Sequence, residues 1–158
     1  MDAYKLAESA LVVIHTTELE VLMLERADHP GFWQSVTGSK DDQQEALDET
    51  ARREVLEETG LAVGGAQVPR AALTDWHWQV AYEIYPIWRH RYAPGVTRNI
   101  EHWFGLLVPR EIKITLAPRE HTAYTWLPYL EAAERCFSPS NRAAILQLPA
   151  RMRPRISI

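Results

Sequence analysis

Glu54, Glu57 and Glu58 stand at i, i+3 and i+4 in "REVLEETGL", residues 53–61, inside a stretch that also carries Asp41, Asp42, Glu45, Asp48 and Glu49. A helical residue turns about 100°, so on a helix the three glutamates share an arc of about 100°. Leu47, Ala51 and Val55 then lie about 20°, 60° and 100° from Glu54, with Glu58 at about 40°, inside that apolar stripe. The carboxylates border the buried side. Glu57 and Glu58 also fall in the last turn, where the helix dipole disfavours an acid by roughly 0.3–1 kcal/mol. Such a cluster is either a solvated surface helix or a cradle for a divalent cation. The cation cancels both penalties, and hard oxygen ligands suit Mg2+.

The elements that must hold this cluster are legible around it. Asp42 with Glu45 three residues on has the form of a capping box and predicts a helix from about Asp42, which Gly60 ends. Before it, "ALVVIH" (10–15) and "EVLMLER" (20–26) predict two antiparallel strands, and "FWQSVTG" a short extended segment. After it, "QVAYEIYPIWRHRY" predicts a long strand, "APGV" a Pro-Gly turn and "NIEHWFGLLV" the returning strand. Further short strands are expected at "EIKIT" and "YTWL", with helices near 129–136 and 139–148, the latter capped by Ser138 or Ser140. The pattern predicts an α+β chain or an α/β/α sandwich.

Composition sets outer bounds. The chain has 158 residues, 46% of them hydrophobic and 24% charged, which fits one domain over 1–158 with a basic tail over about 150–158. That tail is expected to keep the chain end soluble. A lone cysteine, Cys136, forms no internal disulfide and lacks a His-Asp arrangement for a thiol nucleophile. No run approaches the roughly 20 apolar residues of a membrane span, and no signal peptide is recognisable, so a cytoplasmic protein without a membrane partner is expected. A net charge of −4 argues against a nucleic-acid partner held by bulk electrostatics. Trp33, Trp78, Trp88 and Trp103 are expected in the core. Oligomeric state is not legible.

The spacing carries a resemblance. Glu45, seven residues, then "REVLEETGL" resembles the Nudix box at every position from Glu45 onward. Upstream it departs: six residues rather than five separate Gly38 from Glu45, and Gln44 stands where a glycine is common. The resemblance implies an α/β/α sandwich with a mixed sheet and hydrolysis of a nucleoside diphosphate linked to another group, using Mg2+ or alternatively Mn2+. It makes Glu54, Glu57 and Glu58 metal ligands, one of them a base in reserve, with Arg53 orienting a catalytic glutamate. The Gly38 carbonyl joins the ligands, or Ser39 in its place. Glu45, about 180° from Glu54 on the wheel, supports the box and Arg53.

A longer set of segments, "VLMLER", "FWQSVTGS", "RHRYAPGVTRN", "EHTAYTWL" and "SNR", is similar to the bacterial Nudix branch of folate synthesis, from near Tyr4 to about Ile145. That branch converts 7,8-dihydroneopterin 3′-triphosphate to the monophosphate and pyrophosphate, and also accepts nucleoside triphosphates such as dATP. A (deoxy)nucleoside triphosphate pyrophosphohydrolase of pool maintenance is the alternative within the chemistry; a non-catalytic binding module is the alternative outside it. The partner is in either enzyme a small-molecule pterin or nucleoside triphosphate. Arg89, His90, Arg91 and Arg98 flank the Pro94-Gly95 turn, where guanidinium forks suit phosphate oxygens, or a solvated hairpin tip needs them for nothing. Lys5 and Arg26 are further cationic candidates and Thr37 a hydrogen-bonding one. Tyr82, Glu83, Ile84 and Tyr85 are expected as a strand wall beside the pterin, and Ser140 as a substrate contact or a helix cap. Glu120, in "REHTAY", is expected as a further metal ligand or the general base, or else an ordinary loop acid; His121 beside it carries no weight.

Overall fold

The run "ALVVIH" is apolar on both faces because its strand lies inside a sheet covered on both sides. In the computed structural model, which describes residues 4–153, the chain runs β1 (Glu8–His15), β2 (Glu20–Arg26), β3 (Trp33–Gln34), β4 (Val36–Ser39), α1 (Leu47–Thr59), β5 (Leu73–Glu83), β6 (Arg98–Leu107), β7 (His121–Pro128), α2 (Tyr129–Arg135), α3 (Pro139–Leu146) and α4 (Leu148–Arg151). The sheet is mixed. Its order is β3-β2-β1-β6-β5, with β4 also pairing β1 and β7 pairing β2. Among the described strands, β1 and β6 pair parallel, in register from Glu8↔Ile100 to His15↔Leu107, and the other ladders between the strands are antiparallel.

Strand alternation divides the core into two layers. Ala10, Val12, Ile14, Leu22 and Leu24 pack with Ala51 and Val55 of α1. Leu11, Val13, Val21 and Met23 face the other way, onto Ala132, Ala144, Ile145 and Leu148 of the C-terminal helices. Each fully buried branched side chain contributes about 1.5–3 kcal/mol. The result is the expected α/β/α sandwich with a mixed sheet.

Four expectations about elements need correction. The helix begins at Leu47, not near Asp42: Ala46 is its N-cap and no side chain caps it. Asp42 instead closes a turn, accepting from the Gln44 amide at 2.7 Å and the Glu45 amide at 3.1 Å. The strand expected through "YPIWRHRY" stops at Glu83, and Pro86–Arg91 forms a 3₁₀ helix, since Pro86 has no amide for a ladder. That strand also starts earlier, at Leu73, with a register shift between Asp75 and Gln79. "EIKIT" pairs with no strand; it is tied by the Thr115 amide to Thr59 O at 2.8 Å and buries Ile114 in the core.

Gly60 ends α1 as expected, at φ 76°, and Ser138 rather than Ser140 caps α3 by accepting from the Asn141 amide. Of the basic tail, Arg151 closes α4 and donates to Trp76 O at 3.1 Å, so it is part of the packed fold. Residues 154–158 lie outside the described residues. Among the described residues no helix is long and apolar enough to cross a membrane.

Candidate active site

The last turns of α1 bring its glutamates against β4, where Gly38 is the close approach. A Cβ on Gly38 would fall on the Glu54 carboxylate itself. Glu58 is 1% exposed, and both its carboxylate oxygens are buried with no hydrogen-bond partner. Burial, with the Glu54 and Glu120 charges beside it, pushes its pKa well up. Burial also raises Glu54. Glu58, Glu120 and His121 each place a ligand atom within 4.8 Å of the others. Orphaned, sealed carboxylate oxygens need a compensating charge, and several oxygen donors in one place fit a hard divalent ion. The residues present therefore suit the metal that the box implies.

Arg53 organises the acids from the side. It grips Glu45 with two bonds, Nε to Oε2 at 2.9 Å and Nη2 to Oε1 at 3.0 Å, which holds the Glu45 carboxyl down at about 2. Nη1 donates to Glu54 Oε1 at 2.8 Å and reaches Glu57 at 3.5 Å, and Nη2 donates to Ser39 O at 2.9 Å. Glu45 faces Arg53 rather than the other acids. The Ser39 carbonyl is engaged by Arg53, while Gly38 lies against the Glu54 carboxylate. The extra residue before Glu45 is taken up in the turn at Asp42, outside strand and helix.

A wall of cations faces the acids across the same cleft. Lys5, Arg26, Arg91 and Thr37 line it together with Gly38, Glu54, Glu57, Glu58 and Glu120. The Lys5 amide donates to Arg91 O at 2.8 Å, so the N-terminal segment and the 3₁₀ helix present their cations side by side. Burial and then the Arg91 charge lower the Lys5 pKa. Arg26 sits at a register shift between β2 and β7, a bulge that re-aims its side chain. Its guanidinium forks onto Asp28 at 2.8 Å and lies 4.3 Å from the Trp88 ring centre. Arg91 reaches the same Asp28 at 3.3 Å, and Asp28 is held at about 2 by Arg26 first.

Behind the cations the cleft continues into a chamber. Tyr82, Ile84, Tyr85, Trp88 and Phe137 line it with Ser9, Asn99, Glu101, Ser138 and Asn141, and it shares Lys5, Arg26, Gln34, Thr37, Gly38, Ser39 and Arg91 with the charged part.

Several expected residues are elsewhere. Arg98 is 72% exposed and bonds Glu83 at 3.1 Å; Arg89 donates to Ile84 O at 3.0 Å and faces Glu83 at 3.5 Å. None of Arg89, Arg98 and Glu83 lines the cleft; both arginines are engaged with the Glu83 carboxylate at the hairpin end. Ser140 is half-buried behind the wall, its Oγ 3.1 Å from that of Ser138. Trp103 is core, but Trp88 forms chamber wall and Trp78 is 51% exposed. Burial pushes the Cys136 thiol up to about 12, which makes it inert.

Other residues were missed by sequence reasoning. His121 is buried 3.7 Å from Glu58, and burial lowers its pKa to about 4, so it is a neutral imidazole. Asn141 spans the layers, accepting from the Ser35 amide at 2.8 Å and donating to Ser35 Oγ at 3.0 Å. Asn99 and Glu101 were hidden in the strand "NIEHWFGLLV"; their polar positions on its buried face were the available signal.

Comparison with known proteins then decides the family. The NUDIX domain model matches residues 5–148. The chain belongs to the Nudix family. Within it, this Nudix chain is 48% identical over 145 residues to the dihydroneopterin triphosphate diphosphatase of Escherichia coli K12, covering 91% of this chain and 93% of that one. The enzyme of that name in Haemophilus influenzae is 40% identical over 146 residues, covering 92% and 89%. The structure of the E. coli dihydroneopterin triphosphate pyrophosphohydrolase matches with a TM-score of 0.83 and 45% identity, over 95% of this chain and 99% of that one. Nudix hydrolases generally work with a divalent metal, in line with the acid cluster here.

Proposed function

We propose that the protein hydrolyses 7,8-dihydroneopterin 3′-triphosphate to dihydroneopterin monophosphate and pyrophosphate, a step of folate synthesis. The names of relatives at 48% and 40% identity support the substrate. The observation that carries the reading is one continuous cleft, acidic at one end, cationic in the middle and aromatic at the other end. A triphosphate attached to a flat heterocycle matches that order of surfaces.

Glu54, Glu58 and Glu57 would hold the divalent ion, Mg2+ or alternatively Mn2+, and Gly38 O and Glu120 would add further oxygens. When bound, the ion screens the phosphate charge and lowers the pKa of water. Lys5, Arg26 and Arg91 bind phosphate oxygens, and Thr37 hydrogen-bonds beside them. Arg53 fixes the carboxylates of Glu54 and Glu57 through the contacts described above. Glu58 is sealed, so the proton of the entering water goes to a carboxylate at the cleft mouth, Glu57 or Glu120. Tyr82, Ile84 and Tyr85 wall the ring, and Ser140 acts from behind that wall. Water adds across the anhydride between the first and second phosphates, which releases pyrophosphate.

The test is pyrophosphate release with Mg2+ from dihydroneopterin triphosphate and from a panel of ribo- and deoxynucleoside triphosphates, compared by kcat/KM, with Glu57→Gln as control. The expected result is a clear preference for the pterin and a loss of turnover of about 100-fold or more in the control. Preference for a nucleotide would move the protein to nucleotide-pool maintenance. Unaltered turnover in Glu57→Gln would remove the cradle from the mechanism.

A further inference from the structure

The phosphate chemistry leaves the acid of the aromatic chamber unused. Glu101 lies on β6, 4% exposed, and lines the chamber without reaching the metal end of the cleft. Its Oε1 accepts from Trp103 Nε1 at 3.0 Å; burial pushes its pKa up, opposed by the Ser140 hydroxyl and the Trp103 indole. A carboxylate has about four acceptor sites, so these bonds leave capacity directed at the chamber. Two residues earlier on the same strand face is Asn99, 1% exposed. Its Nδ2 donates to Ser9 Oγ at 2.7 Å and to Tyr82 Oη at 3.1 Å, while its Oδ1 is buried with no partner at all.

A buried carboxylate and an orphaned amide oxygen are both costly unless something donates to them. The aromatic lining, where Tyr85, Trp88 and Phe137 pack against one another, offers a flat ring an apolar surface. A ring that brings two adjacent N–H donors satisfies both acceptors at once.

We propose that Glu101, with Asn99 Oδ1 beside it, reads the donor edge of the substrate's heterocycle. The ring class is a 2-amino-4-oxo pyrimidine-type ring, in which a ring N–H and an exocyclic amine lie side by side. Dihydropterin has this edge, and so does guanine. The choice between those two rests on the function proposed above; the assignment of the edge does not.

The experiment compares dGTP with dITP, which differ only in the 2-amino group, as substrates and as competitors of dihydroneopterin triphosphate. Wild-type protein is expected to favour dGTP by about tenfold or more, as befits a hydrogen bond to a charged acceptor. In Glu101→Gln, which keeps an oxygen for Trp103, the ratio is expected to fall to about one through KM. Equal losses on both nucleotides, or an unchanged ratio, would overturn the proposal and leave Glu101 as the packing partner of Trp103. Should that variant not fold, Glu101→Asp withdraws the charge by one methylene and must lower the same ratio; an unchanged ratio has the same meaning. Failure of dihydroneopterin triphosphate as a substrate would overturn the function without affecting the ratio. A pterin enzyme whose ratio ignores Glu101 keeps the function and loses this inference.

Discussion

At the scale of single residues, Glu58 is a side chain whose placement a ligand explains. Its oxygens are sealed from water and unpartnered, between Glu54 and the neutral His121. Replacing it with glutamine removes the group that can ionise but keeps the shape. Because burial already pushes the Glu58 pKa well up, the metal-free variant is expected to unfold at a Tm close to that of the metal-free wild type. The rise in Tm that Mg2+ gives the wild type, which follows RT ln(1 + [L]/Kd), is expected to vanish. Thermal unfolding with and without Mg2+ reads both effects. A Mg2+ shift preserved in Glu58→Gln would place the ion elsewhere.

At the scale of elements, α1 works because both of its ends are fixed by something other than its own sequence propensity. At its start, Glu45 accepts from the Asp41 amide at 2.9 Å and the Thr50 hydroxyl at 2.7 Å while it grips Arg53. The Glu45 carboxyl lies below its ordinary value, so its contribution is complete above about pH 4.5 and is lost as pH falls through about 2. At its end, Gly60 takes the left-handed conformation, and a Cβ there would meet Thr115 Cβ at 3.0 Å. Gly60→Ala is expected to cost about 1–2 kcal/mol of stability in denaturant unfolding. Its kcat at low temperature should stay close to wild type. A kcat lost in step with stability would mean that the helix end, and not only the helix, positions Glu57 and Glu58.

At the scale of the whole molecule, the cleft is assembled from parts distant in the chain: the N-terminal segment, the end of β2, the 3₁₀ helix and the end of α1. Tertiary placement therefore selects which cations meet phosphate. Arg91→Gln is expected to raise KM for the triphosphate by about tenfold, the lower range for a hydrogen bond to a charged group, with kcat little changed. Arg98→Gln, on the solvent side and paired with Glu83, is expected to leave both constants as they are. Steady-state kinetics on the two variants checks this, and equal effects would show that the hairpin acts as one diffuse positive field.

The sequence by itself determined what depends on neighbours in the chain. Helix periodicity put Glu54, Glu57 and Glu58 on one face beside Ala51 and Val55. Apolar runs marked β1 and β2, and a glycine marked the end of α1. The spacing from Glu45 to Leu61 was specific enough to identify the family. The tertiary structure decided what depends on partners far away. Arg91 and Arg98 look alike in "RHRYAPGVTRN", yet a 3₁₀ helix aims one into the cleft and leaves the other outside. Asn99 and Glu101 read as strand residues until the chamber opens over them, and His121 as an exposed histidine until burial sets it beside Glu58. Local pattern encodes which face a residue occupies. What that face meets is settled only when the layers pack, because the desolvation and the charges that give each group its chemistry come from the other layers.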